Sequence, residues 1–291
     1  LFCDKIIIAD QMSSDGSRSI YPNFPKVSVI DNKSDFHSNV VRWQLLDEAR
    51  KIPGDKLILL LDADECFPPI LFNEFITECL GKYKKGQIFS FKWVQLWKSV
   101  DFYNCGGVWK DNNKSAAFID NGVMDYDRSS YVLNDHTSRV PMINALNDVK
   151  FIEALPLLHF QWINWPQVQM KQAWYRCSEL ISKKRKSYNV NSTYAITLDS
   201  PQDQLLKVPR NWIEEIKLPN HYLVYEVDRD WHYNQIIEWF DSYGILFFEE
   251  LQIWHIKELH DKFINKYNRE PLPRLNPPLW RIFARKIKSL L

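Results

Sequence analysis

The chain has 291 residues, 45% of them hydrophobic, with 37 Lys and Arg against 36 Asp and Glu. That is enough apolar material for a sizeable core, and a net charge of +1 excludes a general nucleic-acid binder, whose surface would lean basic throughout. No apolar run reaches the roughly 20 residues of a membrane span, and no stretch reads as a signal peptide.

In chain order, Lys5–Asp10 is a short apolar run bounded by polar residues, which predicts a buried parallel strand. The chain opens almost directly on it at Leu1, so upstream sequence is expected. Gln11–Arg18 has turn chemistry and Lys26–Asp31 is a second strand. Ser34 or Asp35 caps a helix to about Arg50, with Val41, Leu45 and Ala49 on one face. A strand at Leu57–Leu61 follows, then Pro68 and Pro69 open a helix to about Leu80. This alternation predicts an α/β fold with a mostly parallel sheet flanked by helices.

From Gln87 to about Phe118 the runs are aromatic and strand-like, which predicts a small antiparallel part, and Leu155–Phe160 is a further short strand. Residues 167–186 form an amphipathic helix ending in Lys183, Lys184, Arg185 and Lys186, where a helix end favours cations. Gln235–Phe248 and Leu251–Tyr267 read as helices, residues 271–278 as a Pro-rich joint, and Leu279–Leu291 as a basic, aromatic tail. The expected organisation is one domain over residues 1–190 and a mainly helical region over 191–291. Cys3, Cys66, Cys79, Cys105 and Cys177 are odd in number and scattered, with no CxxC pair. They read as reduced thiols of a cytoplasmic protein, not a disulfide framework or zinc site.

The segment Leu57–Glu65, "LILLLDADE", runs five apolar residues into three carboxylates. Open α/β sheets bind ligands beyond the carboxyl ends of their strands. Asp62 and Asp64 crowded there would repel each other unless a cation joins them. Mg²⁺ and Mn²⁺ favour such oxygen donors and share their sphere with substrate phosphates. The strand tip therefore reads as a metal–diphosphate site; solvated carboxylates or pairs with lysines are the plain alternative.

Three segments in series, "IIIADQMSSDGS", "SNVVRWQLLDEAR" and "LILLLDADE", resemble the family 2 glycosyltransferases, which have the GT-A fold. The likeness covers about the first 65 residues and is looser downstream. It implies a GT-A-like sheet and an inverting, metal-dependent transfer of a sugar from a nucleotide-sugar donor, commonly a UDP-sugar, to a hydroxyl of a saccharide or lipid-linked acceptor. Surface polysaccharide or glycoconjugate synthesis is the setting it implies. By the same resemblance Asp10 would meet the base and Asp15 would join it in nucleotide-sugar binding. Arg42 would lie near the base or phosphate, Asp62 near the ribose or metal, and Asp64 on the metal. His159 would return to the metal or stand as a satisfied core histidine of its strand, and Asp135 and His136, in "NDH", would take the acceptor's proton, with Asp125 and Asp127 as competitors and plain surface-loop residues as the alternative for all of these. This chain departs from the family at Gln11 and Met12, and the family's first strand is missing from it.

Trp162 and Trp165 would line a sugar cleft or pack helix on sheet, and Lys171 and Arg176 would meet phosphates or stand as exposed helical cations. The tail would pack as a terminal helix, or lie on an anionic membrane surface, at the inner face of the cell membrane. Three rivals stand against the transferase. A haloacid-dehalogenase-type phosphatase also ends a strand in DxD, but this chain has Cys66 where that motif continues with Thr or Val. A non-catalytic nucleotide-sugar-binding relic of the same fold would tolerate the altered Gln11–Met12 loop. A nucleotidyltransferase would carry a Gly-rich phosphate loop near its start, and none is visible.

Overall fold

The computed structural model describes residues 3–14, 16–34, 39–129, 138–146, 148–183, 185–195, 204–216 and 231–272. Chain contacts divide it into two compact units: Leu1–Gln95, Tyr103–Phe160 and Leu206–Lys217 form the first, and Leu96–Phe102, Gln161–Leu205 and Leu218–Leu291 the second.

In the first unit, β1 (Ile6–Asp10), the one-turn helix α1 (Ser17–Ile20) and β2 (Val27–Asp31) lead into α2 (Asn39–Arg50). Then come β3 (Leu57–Leu59), β4 (Glu65–Cys66), α3 (Pro69–Lys82), β5 (Ile88–Leu96), β6 (Phe102–Asn104), β7 (Asn113–Ile119) and β8 (Val149–His159). β1 and β2 pair in parallel as a two-stranded sheet. The larger sheet runs β3-β7-β5-β6-β9, with β8 on β5 and β4 on β8; β9 is Leu205–Lys207, followed by the short helix α6 (Arg210–Ile213).

Side-chain alternation assigns the two faces of this sheet. Ile58 and Leu60, Ile88 and Phe118 cluster with Trp43 and Leu46 of α2. Leu57 and Leu59, Phe89 and Phe91 cluster with Phe72, Phe75 and Cys79 of α3. The pattern is α2 on one face and α3 on the other, and α2 also packs on β1.

The expectation of a mostly parallel sheet needs correcting. The larger sheet is mixed: β3–β7, β5–β7 and β4–β8 are antiparallel and β5–β8 is parallel. The reason is that residues 88–119 turn back on themselves without a crossover helix, so β7 inserts between β3 and β5. The apolar run at 57–61 is also less deeply set than expected. Its ladder ends as Leu60 N–H donates to Ala116 O at 2.8 Å, and Leu61 is exposed.

Arg50, at the end of α2, ties that helix to the sheet. Its guanidinium grips Asp120 twice, at 3.0 and 2.7 Å, and reaches Met124 O at 2.6 Å. Burial pushes the Asp120 carboxyl up, but the Arg50 hydrogen bond and charge and the Gly122 amide outweigh it, so the carboxyl titrates below its ordinary range. A depressed carboxyl stabilises the fold above its unfolded value of about 3.9, and that contribution is lost as pH falls through the folded value. Asp120→Asn is therefore expected to cost about 2 kcal/mol at neutral pH. The difference from wild type should narrow below about pH 4, read from urea denaturation at several pH values.

The second unit is built from α4 (Trp165–Ser182), α5 (Ser187–Thr193), α7 (Trp231–Tyr243) and α8 (Lys257–Tyr267). Asn164 caps α4, its side chain accepting from Gln167 N–H at 3.3 Å, with Pro166 in the first turn. Met170, Ala173, Cys177 and Leu180 recur at helical spacing and share one core with Ile236, Phe240, Leu259 and Phe263. This shared core draws α4 into the second unit, whereas the sequence placed it within residues 1–190. The predicted helix at 251–267 begins only at Lys257, and the one at 235–248 gives way to a 3₁₀ turn at Ile245–Phe248.

Arg176 is not the exposed phosphate-facing cation considered from sequence. It is buried in this core and donates to Tyr194 O at 2.7 Å, and burial pulls its pKa down to about 10. Trp162 stacks on Trp97 at 5.0 Å between centroids, and Lys171 lies over Tyr175. In the basic run, Lys183 and Arg185 both pair with Glu179. The tail after Leu272 lies outside the described residues.

All five cysteines are free thiols. Among the described residues, no helix is long and apolar enough to cross a membrane.

Candidate functional site

Beyond β3 the chain makes a tight turn over Asp62–Glu65, closed by Glu65 N–H donating to Asp62 O at 3.1 Å. Asp62 N–H in turn donates to the Glu65 carboxylate at 3.1 Å. Glu65 opens β4, which pairs with β8 so that Glu65 faces His159, and β8 pairs with β5 so that His159 faces Gln95. The registers thus set Glu65, His159 and Gln95 in one row across three adjacent strands, beside the turn that carries both aspartates.

Two of the three carboxylates share one partner, and the third has another. The Glu65 side chain is fully buried and bound by Arg139 at 2.6 and 3.0 Å and by Trp93 Nε1–H at 2.8 Å. Asp62 turns to the same guanidinium and forms an ion pair with it. Asp64 turns instead to His159, its Oδ2 standing 3.3 Å from Nε2. The other ring nitrogen, Nδ1, lies 2.6 Å from Gln95 Oε1, and the ring stacks on Trp93 at 4.6 Å. Gln95 Oε1 accepts from Nδ1–H, so in the neutral ring Nε2, on the Asp64 side, is the nitrogen that carries the lone pair. That is how a metal-ligating imidazole is usually fixed from behind.

The predicted convergence of Asp62 and Asp64 is not what the structure brings together. Asp64 and His159 converge, while Asp62 is held by Arg139. Two donors each about 2.1 Å from one cation at roughly a right angle would stand about 3 Å apart, close to the spacing observed. Among the described residues no group of three His, Cys, Asp or Glu side chains could hold a metal. A hard divalent cation completed by waters and phosphate oxygens nevertheless needs only one or two protein donors. The donor set fits Mg²⁺ or Mn²⁺ in that manner.

Around this turn stand further cations. Lys114 of β7 lies 4.3 Å from the Trp93 ring centroid, and the Arg139 guanidinium lies 5.9 Å from the same ring. Arg42 of α2 is partly buried near Asp62, Arg139 and Tyr126. Burial lowers its pKa, assisted by the Arg139 charge and opposed by Tyr126 and Asp62.

Asp10 ends β1 as a buried carboxylate. It accepts from Ser13 N–H at 2.8 Å and from Tyr21 Oη–H at 2.9 Å, with Arg18 at 3.5 Å. Burial raises its pKa, but those hydrogen bonds and the Arg18 charge prevail and hold it below the usual carboxylate range. Both oxygens are thus engaged in ordering the loop that follows β1. Asp15, Asp135 and His136 lie outside the described residues. The competing acids have structural partners: Asp125 pairs with Arg128, and Asp127 accepts from the backbone N–H and hydroxyl of Ser129.

Sequence reasoning passed over Glu65, Trp93, Gln95, Lys114 and Arg139. Glu65 alone carried a signal, as the third acid of "DADE". The others reach the turn only through strand registers and a loop far along the chain.

Compared with protein-family models and with curated proteins, the chain matches none.

Proposed function

We propose that the protein is a metal-dependent glycosyltransferase with a GT-A-like first unit, moving a sugar from a nucleotide-sugar donor, a UDP-sugar in the first instance, to a saccharide or lipid-linked hydroxyl with inversion. The observation that carries this is the pairing of Asp64 with His159, 3.3 Å apart at the turn beyond β3, with Gln95 behind the ring. Asp64 and His159 would hold Mn²⁺ or Mg²⁺. Such a cation supplies Lewis-acid stabilisation of charge on a departing phosphate oxygen.

The chain's own residues have definable tasks. Glu65 and Trp93 fix Arg139, and Arg139 holds Asp62 at the mouth of the turn. Asp10 orders the loop where a base would lie. The acceptor hydroxyl attacks the anomeric carbon as the bond to the diphosphate breaks, and its proton passes to a base, for which Asp135 and His136 are the candidates.

A panel of nucleotide sugars with Mn²⁺, followed by thermal melting, tests this. One donor should raise the melting temperature, EDTA should remove the metal-dependent part of the shift, and sugar transfer or slow hydrolysis should accompany it. No shift from any donor would overturn the proposal. Stabilisation without turnover would favour the non-catalytic nucleotide-sugar binder, a reading supported by the Arg139 grip on Asp62. That same grip weighs against the phosphatase, which needs Asp62 as a free nucleophile.

A further inference from the structure

In the second unit α7 ends at Gly244, whose φ of 81° suits glycine, and a 3₁₀ turn follows over Ile245–Phe248, "ILFF". Such a turn brings residues i and i+3 to one side. Ile245 and Phe248 accordingly face inward. Phe248 is fully buried, 5.0 Å from Phe240 between ring centroids, and Ile245 packs on the same core. Leu246 and Phe247 are left outside, 73% and 44% exposed. Phe247 is braced by Tyr243, itself exposed, whose ring stacks on it at 6.0 Å. Two anchored residues thus hold two apolar side chains out in water, where their surface gains by leaving it.

The basic run lies beside this turn, since Arg185 and Lys186 line one pocket with Leu246 and Phe247. The charge turned to solvent there is mainly positive. Lys183 and Lys186 are exposed and Arg185 is half-buried, whereas Glu179, which serves both Lys183 and Arg185, and Glu249 are largely buried. Glu250, the exposed acid of the same wall, accepts from Ser187 Oγ–H.

The size of the patch selects its partner. Tyr243, Leu246 and Phe247 together offer roughly 300–400 Å² of exposed surface, about half of what one side of a stable protein interface takes. A few apolar tips flanked by cations match a bilayer with anionic headgroups instead: the tips enter the acyl boundary while the lysines stay among the phosphates.

We propose that the Leu246–Phe247 turn, with Lys183, Arg185 and Lys186, seats the second unit on an anionic phospholipid surface. The contact is peripheral and reversible. It rests neither on the transferase reading nor on the tail after Leu272.

Flotation of the full chain with vesicles tests this, using phosphatidylcholine alone and phosphatidylcholine mixed with phosphatidylglycerol. The chain should float with the mixed vesicles, bind the neutral ones at least about ten-fold more weakly, and come off as salt is raised. Leu246→Ser with Phe247→Ser should weaken binding about 10²-fold. Lys183→Gln with Lys186→Gln should weaken binding to the mixed vesicles about ten-fold and leave binding to the neutral ones as it was. Phe247→Leu should bind as the wild type does, and so should Val108→Ser, at an exposed valine of the first unit. Melting curves establish that each variant folds. Three results would each overturn the proposal: no flotation of the wild type, equal binding to both kinds of vesicle, or undiminished binding by folded Leu246→Ser with Phe247→Ser, which would assign the membrane contact to another part of the chain.

Discussion

Asp64→Asn should abolish metal-stimulated turnover of the nucleotide sugar, lowering its rate by at least about 10²-fold. The substitution is nearly isosteric and removes a negative oxygen that faces His159 Nε2. Losing an anionic donor weakens a hard cation's site directly. A solely structural Asp64 would behave differently. Its side chain is about one-third exposed, at 32%, so its pair with His159 would contribute no more than about 1 kcal/mol and turnover would stay the same. Initial rates across a Mn²⁺ titration separate the two. A rightward shift in the metal requirement with a reduced maximum supports the ligand role, and an unchanged metal curve sinks it. Gln95→Ala is a useful companion, because it frees the imidazole without touching either donor.

Arg139→Met should produce the largest loss of stability in the first unit. The guanidinium side chain is 13% exposed, and the Glu65 side chain it binds is 0% exposed. Removing the cation leaves a buried carboxylate with, among the described residues, only the Trp93 indole as a close donor outside its own turn. Breaking a buried pair in this way costs about 3–5 kcal/mol. For a chain of this size that is a fall in melting temperature on the order of 10 °C. The double variant Arg139→Met with Glu65→Gln removes both charges and should recover much of the loss, since the penalty lies mainly in the orphaned acid. Asp62, 59% exposed at its side chain, contributes little by comparison. If Arg139→Met melts within a degree or two of wild type, Glu65 is not held as described.

Local sequence carried much of the first unit. The runs at 6–10 and 27–31 became β1 and β2, Pro68 and Pro69 marked the start of α3, and the aromatic stretch from Gln87 became antiparallel strands. Their apolar periods and prolines act within a few residues, so the signal is complete in the sequence. Direction of pairing is another matter. Whether β3 lies beside a parallel or an antiparallel neighbour depends on which distant segment reaches it, and β7 does so only because residues 88–119 double back.

The site divides in the same way. The sequence by itself determined that a cluster of acids closes a strand at Asp62–Glu65, because an apolar run ending in carboxylates is a local pattern. It also determined that His159 ends a later strand. Which acid meets which partner was decided only in three dimensions. Asp62 lies 77 positions from Arg139, and Glu65 lies 28 from Trp93 and 74 from Arg139. Strand registers span the separation to Trp93 and a loop between β7 and β8 spans the two to Arg139, while alternation along β4, β5 and β8 decides which side chains share a face. Asp62 pairs with a guanidinium and Asp64 with an imidazole because two separate segments bring those partners to the turn, a loop for Arg139 and β8 for His159.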